Sequence, residues 1–363
     1  MRVWCDKKFQ VQAKKLIGSL AKVEVIPAGK LRRYANLSWW YRYFSWYHIT
    51  KTHIPNFIDL FKILAGFIVS FCKLLSWRPD VIFCKGGYVC LPVGVLAHVL
   101  NIPLVIHDSD TVAGLTNRIL ARWALKIGTG APVDNYPSYP KSRTEFIGIP
   151  VRPNFTKLVG NEIKITSQKD AIKKGLGLKH YRRPLVLAMG GGLGSSDINA
   201  LIQRNAHDLT SKKINVVLLT GKDKKVNFLL TREQRTYIKT ISFMPDTAKL
   251  IQASDLVITR AGATTMAELA SVAAATILIP SPYLAGDHQT KNAKVYQRAG
   301  AALVLDQMTL KKQPYLLYDL IIETLNNKAT RTKLANNLAK FARKDSLGGM
   351  VDMIEGAINE SRQ

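Results

Sequence analysis

Residues 185–199 read Leu-Val-Leu-Ala-Met-Gly-Gly-Gly-Leu-Gly-Ser-Ser-Asp-Ile-Asn, an apolar strand that passes through a glycine loop into a helix. Glycines let a ligand approach the backbone closely, and the first turn of a helix offers unpaired N–H groups. A phosphate is therefore favoured at this loop. The loop matches neither the dinucleotide fingerprint nor the Walker pattern. A tight turn capped by Ser195 or Ser196 is the open alternative.

Short apolar strands alternate with helices on both sides of this segment, which predicts parallel sheets with helices on both faces. We expect an α/β protein with two doubly wound, Rossmann-like domains facing a cleft. The predicted strands are 23–26, 81–84, 104–107 and 145–148, followed by 185–189, 216–220, 237–243, 256–259, 276–280 and 302–305. Helices are predicted at 54–75, 92–100 and 115–123 in the first half.

Two prolines in Gly-Ile-Pro-Val-Arg-Pro-Asn, residues 148–154, indicate a linker. This places the domains at residues 1–150 and 151–363, with the last helix packing back on the first domain. Residues 156–183 form a polar stretch with no assigned element.

The net charge of +27 predicts an anionic partner. Residues 1–51 hold 11 basic and 2 acidic residues, a balance of +9, beside Trp39, Trp40, Phe44 and Trp46. Basic clusters beside aromatic side chains suit an anionic membrane surface, although a solvated basic surface is the alternative. No nucleic-acid motif accompanies the charge, so we expect no nucleic acid as partner.

The apolar segment 54–77 is interrupted by Asp59, Lys62 and Lys73. Its uncharged run is far shorter than the ~20 residues of a spanning helix. It predicts a buried or membrane-facing helix, with burial favoured. The four cysteines show no metal-ligand spacing, which fits a reducing cytosol, and Cys84 and Cys90 are expected to be small buried residues. The first residues lack the apolar run of a signal peptide.

Two further clusters follow apolar strands in the second half. Thr265 and Glu268 fit a capping box, while the functional alternative places the Glu268 carboxylate on sugar hydroxyls. Asp287 and His288 open a helix, with a plain helix cap as one interpretation and acid–base chemistry as the other. No second ligand stands at metal spacing, so no metal site is predicted.

In the first half, Lys85-Gly-Gly-Tyr and His107-Asp-Ser-Asp both follow apolar strands. Ligands of open α/β sheets bind at the carboxyl ends of strands. The acid–base candidates are therefore His107, Asp108 and Asp110. For His107 the ordinary alternative is a structural histidine.

Six segments, taken in chain order, together resemble the MurG family of cell-wall glycosyltransferases. Residues 78–88 resemble RPDVVxGxGGY, 107–110 resemble HEQN, 148–152 resemble GNPVR, 190–195 resemble GGSQGA, 260–268 resemble RAGAxTxxE, and 287–293 resemble DHQxxNA. The resemblance covers the whole chain and implies the GT-B fold, with a lipid-linked acceptor on the first domain and UDP-N-acetylglucosamine on the second.

The implied reaction is an inverting transfer of N-acetylglucosamine to the muramyl sugar of undecaprenyl-pyrophosphoryl-MurNAc-pentapeptide, converting lipid I to lipid II. The resemblance further implies that the reaction would serve peptidoglycan synthesis, and thereby cell shape and division, and that the protein would be peripheral at the cytoplasmic face of the cell membrane. No metal and no cofactor are implied. Backbone groups of Met244 would contact the donor, Glu268 would hold the ribose, and the glycine loop would hold the pyrophosphate.

The residues carried over from the family fall into two sets. The donor set is Asp110, Arg152, Gly190, Gly191, Gly192, Gly194, Ser195, Met244, Ala263, Thr264, Thr265, Glu268 and Gln289. The acceptor set is Lys85, Gly86, Gly87 and Tyr88.

This chain departs from the family pattern in three places. Asp110 stands where the family has asparagine, and Gly192 stands where it has serine. The opening strand and GGTGGH loop of the family have no counterpart here. Two alternatives stay open: a related transferase acting on diacylglycerol, and a nucleotide-sugar-binding fragment without catalysis.

Overall fold

The computed structural model describes residues 1–30, 49–160, 162–191, 194–283 and 285–362. The chain divides into two compact units. One consists of Met1–Ile147 with Gly348–Gln363, and the other of Gly148–Leu347.

The first unit holds two parallel sheets. The two-stranded sheet pairs β1 (Arg2–Cys5) with β2 (Lys22–Val25). The four-stranded sheet runs in chain order through β3 (Ile82–Cys84), β4 (Leu104–Asp108), β5 (Lys126–Thr129) and β6 (Thr144–Phe146). Its helices are α1 (Gln10–Ile17), α2 (Ile54–Ser76), α3 (Cys90–Val99) and α4 (Leu115–Leu120).

Strands β1 and β3 belong to different sheets and line one cavity. This cavity has a volume of about 480 Å³, and Val3, Trp4, Phe83 and Val93 are among the apolar side chains around it.

The second unit is built on one six-stranded parallel sheet. Its strands are β7 (Leu185–Met189), β8 (Asn215–Leu219), β9 (Ile238–Ile241), β10 (Leu256–Thr259), β11 (Thr276–Leu278) and β12 (Leu303–Val304). The spatial order is β12-β11-β10-β7-β8-β9, which is the doubly wound order. Every residue of β7 and β10 is buried, as expected of a sheet covered on both faces. The order reverses between β7 and β10, and ligands bind at such a switch point.

The helices of this unit precede, separate and follow the strands along the chain. They are α5 (Pro153–Thr156), α6 (Glu162–Gly175), α7 (Ser196–Ser211), α8 (Ala248–Ala253), α9 (Ala263–Val272), α10 (His288–Arg298), α11 (Gln307–Lys312), α12 (Tyr315–Asn326) and α13 (Lys328–Ala339). The last helix, α14 (Ser346–Arg362), belongs to the first unit from Gly348 onward. Its Met350 and Met353 pack against Val105 and Ile147 there.

Several elements are absent from the sequence prediction, among them β1, α1, β5 and α6. Strand β5 has the short sequence Lys-Ile-Gly-Thr, which does not look like an apolar strand, although three of its four residues are buried. Helix α6 lies in the stretch described only as polar. It is held by Lys169 and Lys173, whose ammonium groups lie 3.2 and 2.8 Å from the Asp255 carboxylate.

Helix α2 corrects the expectation that segment 54–77 is buried. Asp59, Gly66, Ser70 and Leu74 are its buried residues. Nine large apolar side chains of the helix are exposed: Ile54, Phe57, Ile58, Leu60, Phe61, Leu64, Ile68, Phe71 and Leu75. In the part of the chain that the structure describes, no helix is long and apolar enough to cross a bilayer.

Candidate active site

The glycine loop after β7 has no room for side chains. A Cβ on Gly190 would lie 2.1 Å from the Ser195 nitrogen, and one on Gly194 would lie 2.4 Å from the Thr220 oxygen. Gly191 and Gly194 also have positive φ angles of 78° and 68°. Only glycine fits this backbone, so the loop presents main chain to a ligand. Gly192 of the predicted set lies outside the described residues.

Ser195 caps helix α7, as one of the two interpretations predicted. Its Oγ accepts a hydrogen bond from the Ile198 N–H at 3.3 Å. The cap satisfies one donor of the first turn and leaves the helix dipole directed at the loop. Capping and anion binding are therefore compatible at this turn.

Arg260, the residue after β10, lies behind the glycine loop with only 6% of its surface exposed. Its guanidinium donates to Ser195 Oγ at 2.9 Å, to Asp197 Oδ2 at 3.0 Å and to the Ile279 carbonyl at 2.8 Å. The side chain of Gln307 accepts a further hydrogen bond. Arg260 thus ties the end of β10 to the first turn of α7.

A second helix begins beside the loop. Helix α9 starts at Ala263 with Gly262 at the N-cap, and Thr265 Oγ1 lies 3.6 Å from the Cβ position of Gly191. The predicted Ala263, Thr264 and Thr265 thus form its first turn. Two helix N-termini meet at the glycine loop, which concentrates positive potential there.

The capping-box prediction for Thr265 and Glu268 is wrong. Because Gly262 is the N-cap, Thr265 is the third helical residue and Glu268 is the sixth. A capping box would need Thr265 as the N-cap residue, but the helix begins three residues earlier, with Gly262 as its N-cap.

The Glu268 carboxylate instead pairs with Arg152, whose Nη2 lies 3.1 Å from Oε1. Arg152 also donates to the Pro245 carbonyl. Burial raises the pKa of Glu268, Arg152 opposes that shift, and Asp246 adds to it. A half-buried acid beside an arginine, one turn into α9, can accept hydrogen bonds from vicinal hydroxyls while the arginine faces an anion.

Of the other predicted donor residues, Met244 and Gln289 belong to the same unit, whereas Asp110 belongs to the first unit. Met244 directly precedes Pro245 in the segment after β9. Gln289, in the first turn of α10, accepts a hydrogen bond from the Ser281 N–H at 3.0 Å. Asp287 occupies the α10 N-cap without a side-chain capping bond, so the helix-cap interpretation holds by position only.

The first unit positions a different set at the ends of β3 and β4. Asp108 is buried and accepts hydrogen bonds from the Gly114 N–H at 2.8 Å and from Tyr139 Oη at 2.7 Å. Burial raises the pKa of Asp108. His107 has no exposed surface, whereas Asp110 is partly exposed, and its carbonyl accepts from Tyr136 Oη at 2.5 Å.

The predicted acceptor residues lie beside these acids. Gly86 is packed against Asn117, whose amide donates to the His107 carbonyl at 3.1 Å. Tyr88 donates to Asp6, and burial together with this bond raises the pKa of Tyr88 to about 12. The turns after β3 and β4 therefore form one neighbourhood.

Sequence reasoning missed Arg260, Asn117, Tyr136 and Tyr139 as supports of these groups. Arg260 can be recognised as a support of the site only because its charged group is buried, and burial cannot be read from the sequence. The two tyrosines lie 26 and 31 residues from the acids that they hold, and no local pattern links them.

Two family models match the chain. The glycosyltransferase family 28 N-terminal domain matches residues 47–129, and the glycosyltransferase family 28 C-terminal domain matches residues 185–347.

Among the relatives of this chain are proteins named UDP-N-acetylglucosamine–N-acetylmuramyl-(pentapeptide) pyrophosphoryl-undecaprenol N-acetylglucosamine transferase. The one from Ruminiclostridium cellulolyticum is 30% identical over 315 residues, covering 85% of this chain and 82% of the relative. The one from Clostridium tetani is 30% identical over 338 residues, covering 92% and 84%.

Among solved structures, MurG of Acinetobacter baumannii superposes with a TM-score of 0.67 at 23% identity, covering 96% of this chain and 93% of that one. A UDP-GlcNAc 2-epimerase of Neisseria meningitidis, solved with UDP-GlcNAc, reaches 0.55 at 12% identity, covering 98% and 99%. These likenesses establish the GT-B fold.

Proposed function

The chain belongs to the MurG family of glycosyltransferases, and on that premise we propose that it transfers N-acetylglucosamine from UDP-N-acetylglucosamine to the muramyl sugar of undecaprenyl-pyrophosphoryl-MurNAc-pentapeptide. The product is lipid II, a precursor of peptidoglycan. The observation that carries the proposal is the meeting of the glycine loop, the start of α9 and the Arg152–Glu268 pair at the switch point of the second sheet.

The donor pyrophosphate binds at the glycine loop. The N-termini of α7 and α9 direct their dipoles at this point, and the loop backbone has no side chains in the way. Arg152 adds a guanidinium, which pairs well with phosphate oxygens. These groups stabilise the negative charge that develops on the departing UDP.

The nucleoside binds next to this point. Glu268 accepts hydrogen bonds from the ribose hydroxyls, and backbone groups of Met244 contact the base. Gln289 completes the donor set from the start of α10. The acid suits this role because it is partly buried, so a hydroxyl contact there is shielded from water.

The acceptor lies on the first unit, against Lys85–Tyr88. In the transfer, an acceptor hydroxyl attacks the anomeric carbon, the bond from that carbon to the pyrophosphate oxygen breaks, and UDP leaves. A base accepts the hydroxyl proton. Asp110 is the partly exposed member of the candidate set, whereas His107 and Asp108 are buried. We assign His107 and Asp108 to positioning and Asp110 to contact with the donor, because the asparagine that the family carries at this position could not accept the proton.

We further propose that the protein binds the cytoplasmic face of the membrane through helix α2. Its exposed apolar side chains, such as Phe57, Phe61, Leu64 and Ile68, recur at helical spacing, the pattern of an interfacial helix. Residues 1–51 carry the +9 balance that attracts anionic lipid. The aromatic residues 39–46 of that segment lie outside the described residues.

Donor binding in the presence of a chelator tests the proposal. Titration calorimetry with UDP-N-acetylglucosamine in EDTA is expected to show binding equal to that in magnesium, because helix termini and Arg152 supply the positive charge. Binding that vanishes in EDTA and returns with magnesium would contradict the assignment of the pyrophosphate site.

A further inference from the structure

Two of the four cysteines flank the acceptor turn. Cys84 is the last residue of β3 and Cys90 the first residue of α3. Between them Gly86 and Gly87 both adopt φ of 86°. These two glycines in the left-handed region reverse the direction of the chain, so that Cys90 lies close to the end of β3.

The contacts of the two thiols place them together. The Cys90 thiol donates to the Gly86 carbonyl at 3.0 Å, and Cys84 Sγ lies 4.0 Å from the Cys90 carbonyl oxygen. Each cysteine is a free thiol in this structure.

The pair differs in accessibility and in acidity. Both cysteines line the cavity between β1 and β3, Cys84 with 2% of its surface exposed and Cys90 with more. The interaction between the two side chains, together with burial, raises the pKa of the Cys84 thiol, and the same interaction lowers the pKa of the Cys90 thiol. The N-terminus of α3 also favours a thiolate at Cys90.

We propose that Cys84 and Cys90 form a redox modification site, in which a peroxide-class oxidant converts the thiol pair to an intramolecular disulfide. The Cys90 thiolate attacks the peroxide O–O bond, giving a sulfenic acid and releasing water after protonation. The Cys84 sulfur then attacks the Cys90 sulfur, forming the S–S bond and releasing a second water molecule. Cys90 is the attacking thiol and Cys84 the resolving thiol. A dithiol reverses the reaction.

The disulfide would close a ring over Lys85–Tyr88. The existence of the thiol site does not depend on the proposed function, since it rests on the thiol geometry alone. An effect of the closed ring on sugar transfer would rest on that function and is a separate measurement.

Peptide mapping of the oxidised protein tests the site. Trypsin cuts after Lys85, so a disulfide would join peptide 74–85 to peptide 86–118. Full-length protein is treated with hydrogen peroxide, blocked with an alkylating reagent and digested without reductant. We expect the joined peptides, the loss of two of the four thiols, and full reversal by dithiothreitol.

Serine variants assign the roles. In Cys84→Ser, Cys90 should stop at the sulfenic acid and be trapped by dimedone. In Cys90→Ser, Cys84 should keep its thiol. Cys72→Ser removes an exposed thiol and should leave the joined peptides unchanged. If Cys72 oxidises while 84 and 90 stay reduced, or if no joined peptide forms, the proposal is overturned. The map of the unsubstituted protein decides the matter even if a serine variant fails to fold.

Discussion

Arg260 donates a hydrogen bond to Ser195 Oγ at 2.9 Å, which joins the end of β10 to the cap of α7 across the switch point of the second sheet. The guanidinium is buried and also binds Asp197 and Gln307. The residue that shapes the glycine loop therefore comes from a different strand and lies 65 positions away in the chain.

Arg260→Met should lower both stability and donor affinity. Removing the guanidinium leaves buried acceptors without their donor, at about 2–3 kcal/mol of the free energy of unfolding. Urea denaturation and calorimetry with UDP-N-acetylglucosamine measure the two effects. Arg204→Met, at an exposed position of α7, is the matched control and should change neither. Unchanged donor affinity in Arg260→Met would show that the glycine loop keeps its shape without the hydrogen bonds of the Arg260 guanidinium.

Glu268→Ala should weaken donor binding far more than it lowers the melting temperature. Glu268 is the sixth residue of α9 and takes no part in capping the helix. The substitution therefore removes no capping bond, but it removes the proposed contact to the ribose. Glu323→Ala, at an exposed carboxylate of α12, is the control. A lower melting temperature with donor affinity intact would assign Glu268 a structural role.

Donor affinity should fall at mildly acidic pH. Burial raises the pKa of Glu268 above its ordinary 4.5, so the carboxylate that accepts the ribose hydroxyls protonates at a higher pH than a solvated glutamate. The effect on folding has the opposite sign, because a raised pKa contributes stability below that pKa and loses it as pH rises. Calorimetry across pH should show the fall in the native protein, and Glu268→Gln should remove it. An identical pH profile in the variant would locate the titrating group elsewhere.

Association with anionic vesicles should depend on both the apolar face of α2 and the salt concentration. A Phe57→Ser, Phe61→Ser double variant exposes less apolar area and should bind more weakly in vesicle sedimentation. Added salt should also weaken binding, since attraction near the surface supplies about 1 kcal/mol per basic residue. Leu229→Ser, at a residue of the second unit that is 98% exposed, is the control. Equal binding to neutral and anionic vesicles would remove the electrostatic part of the proposal.

The sequence predicts the second sheet well because its strands are continuous apolar runs. Strands β7 and β10 have the predicted bounds. The positions of the two turns that come directly after these strands could therefore be predicted as well. The predicted start of α9 was wrong because Thr265 and Glu268 fit the capping-box pattern, whereas the residue at the N-cap is Gly262.

The supports of the site could not be predicted in the same way. Helix α6 is held by an ion pair to Asp255, and Arg260 is held by a hydrogen bond to Gln307; both partners are distant in the chain. The exposure of the α2 face is a property of the packed molecule, since an apolar helix in the sequence is equally compatible with a core.

The central claim is tested most directly by assaying sugar transfer. Purified protein is incubated in EDTA with radiolabelled UDP-N-acetylglucosamine and a lipid-linked muramyl-pentapeptide acceptor, and Arg152→Met, which lacks the guanidinium assigned to the departing pyrophosphate, is run in parallel. We predict a labelled lipid II product from the unsubstituted protein and a strongly reduced rate from the variant. Donor binding without transfer would contradict the account and identify a nucleotide-sugar-binding protein, and transfer to diacylglycerol instead would identify a different acceptor.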